Sequence, residues 1–298
     1  MGDTKKLAAA IGFFDGVHRG HQALLRAVGE LAAERGLRSA AVSFDLHPDL
    51  LTGRDASLEL ITSPEDRLWE LRRYGGVEEV RLLHFDRELM NTPWDEFLER
   101  LVSDWDIAAL AAGYDFTFGR GGAGNADRLA DWCEARGVAC RRVDRVTWEG
   151  ETVSSSRVRA LLRAGEVDRA AEILGHPYGL SGPVVTGQRL GRTLGLPTAN
   201  LRYEPGVLTP RFGVYAARAF LPDGRSFPAA TNVGVRPTVD DSGAVTVESY
   251  IPDYSGDLYG KRARLEFLAF LRPERRFDSL ADLQAQIGKD AERVRSWR

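Results

Sequence analysis

The chain has 298 residues, a formal net charge of −3 and two cysteines. This length allows two domains with separate cores, and the hydrophobic share of 43% and charged share of 28% are typical of globular proteins. The small net charge gives no global field that would attract nucleic acid or an anionic membrane, and the cysteines match no metal-binding spacing. No apolar run is long enough to cross a bilayer and no signal peptide is recognisable, so the sequence predicts a cytoplasmic protein.

The first half of the chain alternates apolar, strand-like runs with amphipathic, helix-like segments. It starts with the strand "KLAAAIGFF" and the helix "QALLRAVGELAAERG", which Gly36 closes. Alternation of this kind predicts parallel strands joined by helical crossovers in a doubly wound α/β sheet, whose ligands bind at the carboxyl ends of the strands. Further strands are predicted over 38–46, 77–85, 107–116 and 138–146, and helices over 63–75, 92–105 and 125–137.

The second half is rich in short strands separated by turn signals. Its strand-like segments are "GLSGPVVTG", "GVYAARAFLPDG", "PAATNVGV", "AVTVESYI" and "ARLEFLAFL". A final helix over "DSLADLQAQIGKDAERVRSW" has Asp278 as its expected cap. Many short strands followed by one helix predict a small β-barrel, so we expect an α/β domain over 1–172 and a β-barrel domain over 173–298.

The stretch "GFFDGVHRGHQ" lies where the first strand passes into the first helix. His18 and His21 are three residues apart and would share one helix face, while glycines at 12, 16 and 20 let the backbone approach a ligand. A helix N-terminus attracts anions, so the pattern predicts a site where the histidines stabilise charge on phosphate oxygens. From these residues alone, a chance pair of surface imidazoles that caps the helix is an equal alternative.

A second anion site is predicted at "TVSSSRVRALL", residues 152–162. The hydroxyls of Ser154, Ser155 and Ser156 precede Arg159 at a helix start, where backbone N–H groups and guanidinium donors can hold phosphate. The alternative is a serine-capped helix with a solvated basic face. Two such sites at opposite ends of one α/β domain favour nucleotidyl transfer, with attack on an α-phosphorus and pyrophosphate leaving.

In the second half, "TGQRLGRTLGLPTANLRY" begins with a basic, glycine-rich loop. Gly187 and Gly191 flank Arg189 and precede Arg192, a composition that suits a flexible loop closing over phosphates.

Beyond this loop, three polar residues are candidates for metal binding and catalysis, namely Thr198, Asn200 and Glu248. Thr198 and Asn200 alternate along an extended segment and share one face, where their oxygens could complete the shell of a phosphate-bound Mg²⁺. The alternative there is a turn built from Pro197 and Asn200. Glu248 lies in an otherwise apolar strand, and it either faces solvent or serves as a general base.

"GFFDGVHRGHQ" together with "VSSSRVR" resembles the H-x-G-H and I-S-S-T-x-x-R motifs of the nucleotidylyltransferase superfamily. With the second half included, the chain resembles the bacterial bifunctional riboflavin kinase/FAD synthetases along essentially its whole length. The resemblance implies that a Rossmann-like first domain transfers AMP from ATP to FMN, giving FAD and pyrophosphate, with His18 and His21 as catalytic residues. The resemblance also implies which residues bind ATP and its phosphates. In the first half they are Gly12, Phe14, Asp15, Gly16, Asn125, Ser154, Ser155, Ser156 and Arg159, and in the second half they are Gly187, Arg189, Gly191 and Arg192.

The second half resembles the riboflavin kinase domain through G-x-x-x-G-R, P-T-A-N, G-V-Y, N-V-G-x-R-P-T, V-E-x-x-I and D-L-Y-G, which stand in order. The resemblance implies a six-stranded barrel that phosphorylates the ribityl 5′-hydroxyl of riboflavin. Thr198 and Asn200 would serve Mg²⁺ and ATP, and Glu248 would be the catalytic base. The implied partners are riboflavin, FMN and ATP, without nucleic acid or a membrane.

Three positions in the first half depart from the family pattern. Phe13 stands where asparagine is usual, Leu46 where proline is usual, and Thr117 where arginine is common. These departures keep open a riboflavin kinase whose first domain is degenerate or accepts another substrate. Two further alternatives are a nucleotidyltransferase acting on another phosphorylated metabolite and a flavin-binding regulator without chemistry.

Overall fold

A computed structural model describes residues 5–55, 57–186, 198–235 and 245–297. The chain forms two compact units, one of Met1–Glu59 and Arg67–Ser155 and the other of Leu60–Asp66 and Ser156–Arg298. None of the helices within the described ranges is both long enough and apolar enough to cross a membrane.

The first unit is built on a five-stranded parallel sheet. In spatial order its strands are β3 (Glu79–Leu83), β2 (Arg38–Phe44), β1 (Leu7–Ile11), β4 (Ile107–Gly113) and β7 (Ala139–Val143). Two small hairpins pair β5 (Thr117–Phe118) with β6 (Gly124–Asn125) and β8 (Thr147–Trp148) with β9 (Glu151–Thr152). The helices in this part of the chain are α1 (Arg19–Arg35), α2 (Pro48–Thr52), α3 (Pro64–Tyr74), α4 (Arg87–Asn91), α5 (Trp94–Asp104) and α6 (Ala126–Arg136).

Both faces of this sheet are covered by helices. Alternate residues of β1 belong to opposite cores: Leu7, Ala9 and Ile11 pack with residues of α5 and α6, whereas Ala8 and Ala10 pack with residues of α1. Burial on both faces explains why the central strands β1 and β4 are nearly continuous apolar runs. This arrangement confirms the predicted doubly wound α/β class, and it leaves the residues that follow β1 at the carboxyl edge of the sheet.

The second unit contains a closed antiparallel barrel of six strands. In order around the barrel they are β10 (Tyr178–Val185), β11 (Thr198–Leu201), β14 (Val245–Tyr250), β13 (Ser226–Val235), β12 (Gly213–Phe220) and β15 (Arg262–Arg272). The helices in this part of the chain are α7 (Ser155–Ala164), α8 (Val167–Leu174) and α9 (Leu280–Arg295). The barrel and its C-terminal helix confirm the second half of the predicted fold.

Strand alternation assigns each barrel residue to the inner or the outer face. Ser249 is fully buried, and its hydroxyl lies 2.9 Å from the Thr231 hydroxyl inside the barrel. Their neighbours Glu248 and Tyr250 therefore point to the outer face. On that face Ala230 packs with Val294 of α9. The outer surface that carries Glu248 is thus partly covered by the C-terminal helix.

Some local expectations were wrong or incomplete. Ser279, rather than Asp278, caps α9, because its hydroxyl oxygen accepts a hydrogen bond from the Asp282 N–H at 3.1 Å. Serine and aspartate cap helices about equally well, so composition could not decide between adjacent positions. The short helices α2 and α4 and the two hairpins of the first unit were not predicted from the sequence.

Candidate active sites

The chain leaves β1 through a turn over residues 12–18 with unusual backbone geometry. Phe14 and Val17 have positive φ angles of 59° and 37°, and Gly16 has a φ of 78°. A positive φ at a non-glycine residue costs roughly 1–3 kcal/mol and persists only where the surroundings hold it. Phe14 and Asp15 are 1% and 3% exposed, and a Cβ at Gly12 would lie only 3.2 Å from the Phe14 ring. The turn is therefore held tightly in place.

His18 and His21 follow this turn and face one another. His18 caps α1, since its Nδ1 accepts a hydrogen bond from the His21 N–H at 3.3 Å. The two rings stack with centroids 3.6 Å apart and planes 13° apart, which is the shared face that the spacing predicts. Burial, and secondarily the charge of His18, holds the pKa of His21 well below 6.5. At neutral pH His21 is a neutral imidazole, and its buried Nδ1 has no hydrogen-bond partner among the described residues.

The second predicted anion motif meets the same turn through one serine. Ser155, the first residue of α7, donates a hydrogen bond from Oγ to the Asp15 carbonyl oxygen at 3.0 Å. Ser154 is half-buried, Ser156 is exposed, and Arg159 is buried one turn further along α7. The hydroxyl-rich start of α7 thus lies against the turn, while the phosphate-binding roles of these residues stay predictions.

Asn125 has a local structural role. Its Oδ1 accepts a hydrogen bond from the Arg128 N–H at 2.9 Å, which makes Asn125 the N-cap of α6. This cap uses one of the hydrogen bonds that the Asn125 amide can make, and the contact between Asn125 and substrate stays a prediction.

An aromatic cavity of about 200 Å³ opens in the first unit, next to the carboxyl end of β2. Flat aromatic walls suit a planar ring system, and Arg54 adds a positive charge at the cavity. Thr117, one of the three departures from the family pattern, also lines it. The sequence did not identify Arg54, because α2 was not predicted. The lining residues are Phe44, Pro48, Asp49, Thr52, Arg54, Phe85, Leu89, Met90, Phe97, Phe116, Thr117, Phe118, Gly119, Gly121 and Gly122.

In the second unit, Glu248 lies in the middle of a polar row across three strands. The pairing of β11, β14 and β13 puts Asn200 and Asn232 directly opposite Glu248 on either side. Glu248 Oε1 accepts hydrogen bonds from Thr198 Oγ1 at 2.5 Å and from Asn200 Nδ2 at 3.4 Å. The structure therefore joins the three residues that the sequence singled out in this half. They hold the carboxylate in one orientation.

Glu248 faces a cavity of about 270 Å³ on the outer face of the barrel. Its walls come from the barrel strands, from the segment after β15 and from α9. The lining residues are Thr198, Val214, Ala230, Asn232, Glu248, Tyr250, Arg272, Glu274, Arg275, Phe277, Leu283, Ile287 and Asp290.

Glu274 supplies a second carboxylate in this cavity, and it was not predicted from the sequence. Asn232 Nδ2 donates a hydrogen bond to Glu274 Oε1 at 3.0 Å, and a Cβ at Gly234 would lie 2.1 Å from that oxygen. Glu274 therefore lies directly across the Gly234 backbone. By contrast, Arg272 Nη2 and Asp290 Oδ2, 2.7 Å apart, form an ion pair in the same wall. The motif N-V-G-x-R-P-T begins at Asn232, and it was the sequence feature that could have indicated this part of the cavity.

The basic loop predicted to close over phosphates lies outside the described residues. It comprises Gly187, Arg189, Gly191 and Arg192, and their roles remain predictions.

Comparisons with known proteins match both halves of the chain. A family model described as FAD synthetase matches residues 1–157, and one described as Riboflavin kinase matches residues 174–298. A bifunctional riboflavin kinase/FMN adenylyltransferase of Listeria monocytogenes is 32% identical over 289 residues, covering 97% of this chain and 91% of that protein. The chain belongs to the bifunctional riboflavin kinase/FMN adenylyltransferase family.

Another relative and one solved structure also match nearly the whole length of the chain. The bifunctional riboflavin kinase/FMN adenylyltransferase of Pseudomonas fluorescens is 37% identical over 290 residues, covering 97% of this chain and 92% of that protein. A crystal structure described as a macrolide-efflux protein from Streptococcus pneumoniae is 30% identical with a TM-score of 0.86, covering 100% of this chain and 96% of that one. That likeness supports the fold of both units, although its name describes a different activity from that of the curated relatives.

Proposed function

We propose that this chain phosphorylates riboflavin to FMN with ATP, and then transfers AMP from a second ATP to FMN, giving FAD and pyrophosphate. The observation that carries the proposal is the presence of two separate chemical clusters in one chain. One is the stacked pair His18 and His21 at the start of α1. The other is Glu248, oriented by Thr198 and Asn200 beside a cavity. The names of the relatives from Listeria monocytogenes and Pseudomonas fluorescens support both activities.

For the kinase step, Glu248 is the general base. It accepts the proton of the ribityl 5′-hydroxyl as that oxygen attacks the γ-phosphorus of ATP, the bond to the bridging oxygen breaks, and ADP leaves. Both hydrogen bonds to the carboxylate go to Oε1, which among the described residues leaves Oε2 to take the proton. The cavity beside Glu248 accommodates the flavin ring, with Phe277 and the aliphatic side chains of α9 as apolar walls.

The kinase site also fits Mg²⁺ bound together with ATP. Mg²⁺ prefers oxygen ligands and is commonly held by one or two side chains plus substrate phosphates. The Thr198 hydroxyl and the Asn200 side-chain carbonyl would supply such oxygens beside Glu248. When bound, Mg²⁺ would neutralise negative charge on the phosphates of the nucleotide.

For the adenylyl step, a phosphate oxygen of FMN attacks the α-phosphorus of ATP, and the bond to the pyrophosphate group breaks. Little covalent chemistry is required of the protein, so catalysis depends on positioning and on stabilising negative charge. The imidazoles of His18 and His21 donate hydrogen bonds to phosphate oxygens in the transition state. The aromatic cavity that Phe116 and Phe118 line takes the flavin ring of FMN, with Arg54 near its anionic group.

The alternative of a kinase with a degenerate first domain is not favoured. Family models match both halves of the chain, and the relatives named as bifunctional cover nearly all of it. Phe13 and Thr117 differ from the family pattern, but the histidine pair and its strained turn are intact.

We assign adenylyl transfer to residues 1–172 and riboflavin phosphorylation to residues 173–298. The matched segments 1–157 and 174–298 lie on either side of this boundary. Cytoplasmic localisation remains the prediction from sequence, and cell fractionation tests it.

The proposal is tested by assaying each half-reaction with the purified chain. Riboflavin with MgATP is expected to give FMN, and supplied FMN with MgATP is expected to give FAD and pyrophosphate in equal amounts. Absence of both FMN and FAD in the first assay would exclude the kinase, and absence of FAD in the second would exclude the adenylyltransferase.

The contact between Gly234 and Glu274 gives a prediction about flavin binding by the kinase site. Gly234→Ala places a methyl group where Glu274 Oε1 lies and breaks its hydrogen bond with Asn232. Because Glu274 lines the cavity that we propose takes the flavin ring, the KM for riboflavin should rise on the order of tenfold, the effect of losing one hydrogen bond to a charged group. Steady-state kinetics of FMN formation measures this change.

The matched control is Gly288→Ala on α9, where an added Cβ meets nothing within 4 Å. This control should leave the KM for riboflavin unchanged, and adenylyl transfer should be normal in both variants. An unaltered KM in Gly234→Ala would show that Glu274 does not contact the flavin.

A further inference from the structure

Arg67 is a fully buried arginine of the first unit that neither step of the proposed mechanism uses. It lies on α3 and is 0% exposed. Its Nη2 donates a hydrogen bond to the Phe44 carbonyl oxygen at 2.6 Å, at the carboxyl end of β2. Its guanidinium carbon lies 3.9 Å from the centre of the Phe13 ring. Nε and Nη1 are buried and have no hydrogen-bond partner among the described residues.

Two carboxylates act on the charge of Arg67. Burial lowers the pKa of Arg67 to about 10, and the negative charges of Asp15 and Asp45 act in the opposite direction. Asp45 Oδ2 already lies 2.6 Å from His84 Nδ1, and Asp45 Oδ1 accepts hydrogen bonds from the Leu46 and Phe85 N–H groups. Asp15 is also a buried acid, and it lies in the strained turn. The positive charge of Arg67 therefore attracts the carboxylate of Asp15 as well as that of Asp45.

Arg67 acts on the turn at two adjacent places. It stacks on Phe13 and attracts Asp15, and these residues flank Phe14, whose φ is positive. Phe13 and Asp15 also have contacts of their own. The Phe13 ring meets the His47 ring edge-on with centroids 4.4 Å apart, Ser43 Oγ donates to the Phe13 carbonyl at 3.0 Å, and Ser155 Oγ donates to the Asp15 carbonyl at 3.0 Å. Arg67 acts both on the Phe13 ring and on the Asp15 charge.

An arginine in this place is costly for folding. Buried N–H groups without partners lose their hydration, and replacing a buried charge by an apolar side chain of similar volume is often neutral or stabilising. Fold stability alone therefore does not account for a charged side chain here.

We propose that Arg67 is a positioning residue for adenylyl transfer. Arg67 holds the turn over residues 12–18, and thereby His18 and His21, in the geometry that the reaction requires. The inference rests on the proposed adenylyltransferase function. It predicts that Arg67 affects the rate of AMP transfer and leaves the kinase unaffected. A displacement of about 1 Å in catalytic groups can lower a rate on the order of 100-fold.

The test compares three variants of the full-length chain. In Arg67→Met, which removes the charge and keeps an unbranched apolar side chain, kcat for FAD formation from supplied FMN should fall at least about tenfold, with a smaller change in the KM for ATP. Arg67→Lys keeps the positive charge but loses the planar stacking group, so it should recover part of kcat. Arg72→Met, an exposed arginine on the same helix, is the matched control and should be unchanged.

Riboflavin kinase activity and a cooperative thermal transition report on folding in each variant. A folded Arg67→Met protein with wild-type kcat would overturn the proposal. If Arg67→Met fails to fold, Arg67→Lys provides the test. A folded Arg67→Lys protein whose kcat lies between the wild-type value and the rate without enzyme supports the proposal. A kcat equal to the wild-type value, or no higher than the rate without enzyme, overturns it. Failure of the wild-type chain to form FAD would instead contradict the proposed function itself.

Discussion

Glu248→Gln is expected to abolish FMN formation while AMP transfer to supplied FMN continues. A general base contributes on the order of 100- to 10,000-fold to a rate, and a glutamine amide cannot accept the proton of the 5′-hydroxyl. The substitution is nearly isosteric, and its carbonyl oxygen can still accept hydrogen bonds from Thr198 and Asn200. The fold of the barrel should therefore be unaffected, and the loss should appear in kcat. Chromatographic separation of riboflavin, FMN and FAD measures both activities in the same preparation.

The matched control for this variant is Glu292→Gln, an exposed position on α9 whose side chain is 72% accessible. Both activities should match wild type in the control. Retention of FMN formation in Glu248→Gln within about threefold of wild type would contradict the assignment, because losing a general base costs far more. Loss of both activities in a folded protein would contradict the separation of the two sites.

His18→Asn and His21→Asn are each expected to lower FAD formation while riboflavin phosphorylation continues. Removing one preorganised hydrogen-bond donor to a developing anionic charge costs on the order of 100- to 1,000-fold in kcat. Asparagine is among the best N-cap residues, so His18→Asn can still cap α1 and the loss can be attributed to chemistry. The measurement is the rate of FAD and pyrophosphate formation from supplied FMN and ATP.

His84→Asn is the matched control for the histidine variants. The His84 side chain is 76% accessible and lies in the same unit, so its replacement should leave both activities unchanged. Wild-type rates of FAD formation in both histidine variants would show that the stacked pair does not contact the reacting phosphates.

The parts of each site that depend on short sequence spacing could be predicted. His18 and His21 are three residues apart, so helix periodicity alone puts their rings on one face. Thr198 and Asn200 alternate along one strand, so the pleat fixes their common side. Their hydrogen bonds to Glu248 required the pairing of β11 with β14, which neither the spacing nor the expected six-stranded barrel specified.

The parts that depend on tertiary packing could not be predicted. Glu274 enters the kinase cavity only because the chain after β15 returns over Gly234, far away in sequence. Arg67 looks like an ordinary charged residue of an amphipathic helix, and nothing in its neighbours indicates complete burial against Phe13. The structure also gives Phe13 a role. Phe13 departs from the family pattern, and its ring is the one on which the buried Arg67 stacks.

A single time course shows whether one chain carries out two consecutive reactions at two sites. Purified protein is incubated with riboflavin and excess MgATP, and the flavins are separated by chromatography at intervals. We expect FMN to appear first and then to be converted to FAD, with one pyrophosphate released for each FAD formed. A reaction that yields neither FMN nor FAD, or that stops at FMN while ATP remains, would show that the chain does not carry out both reactions.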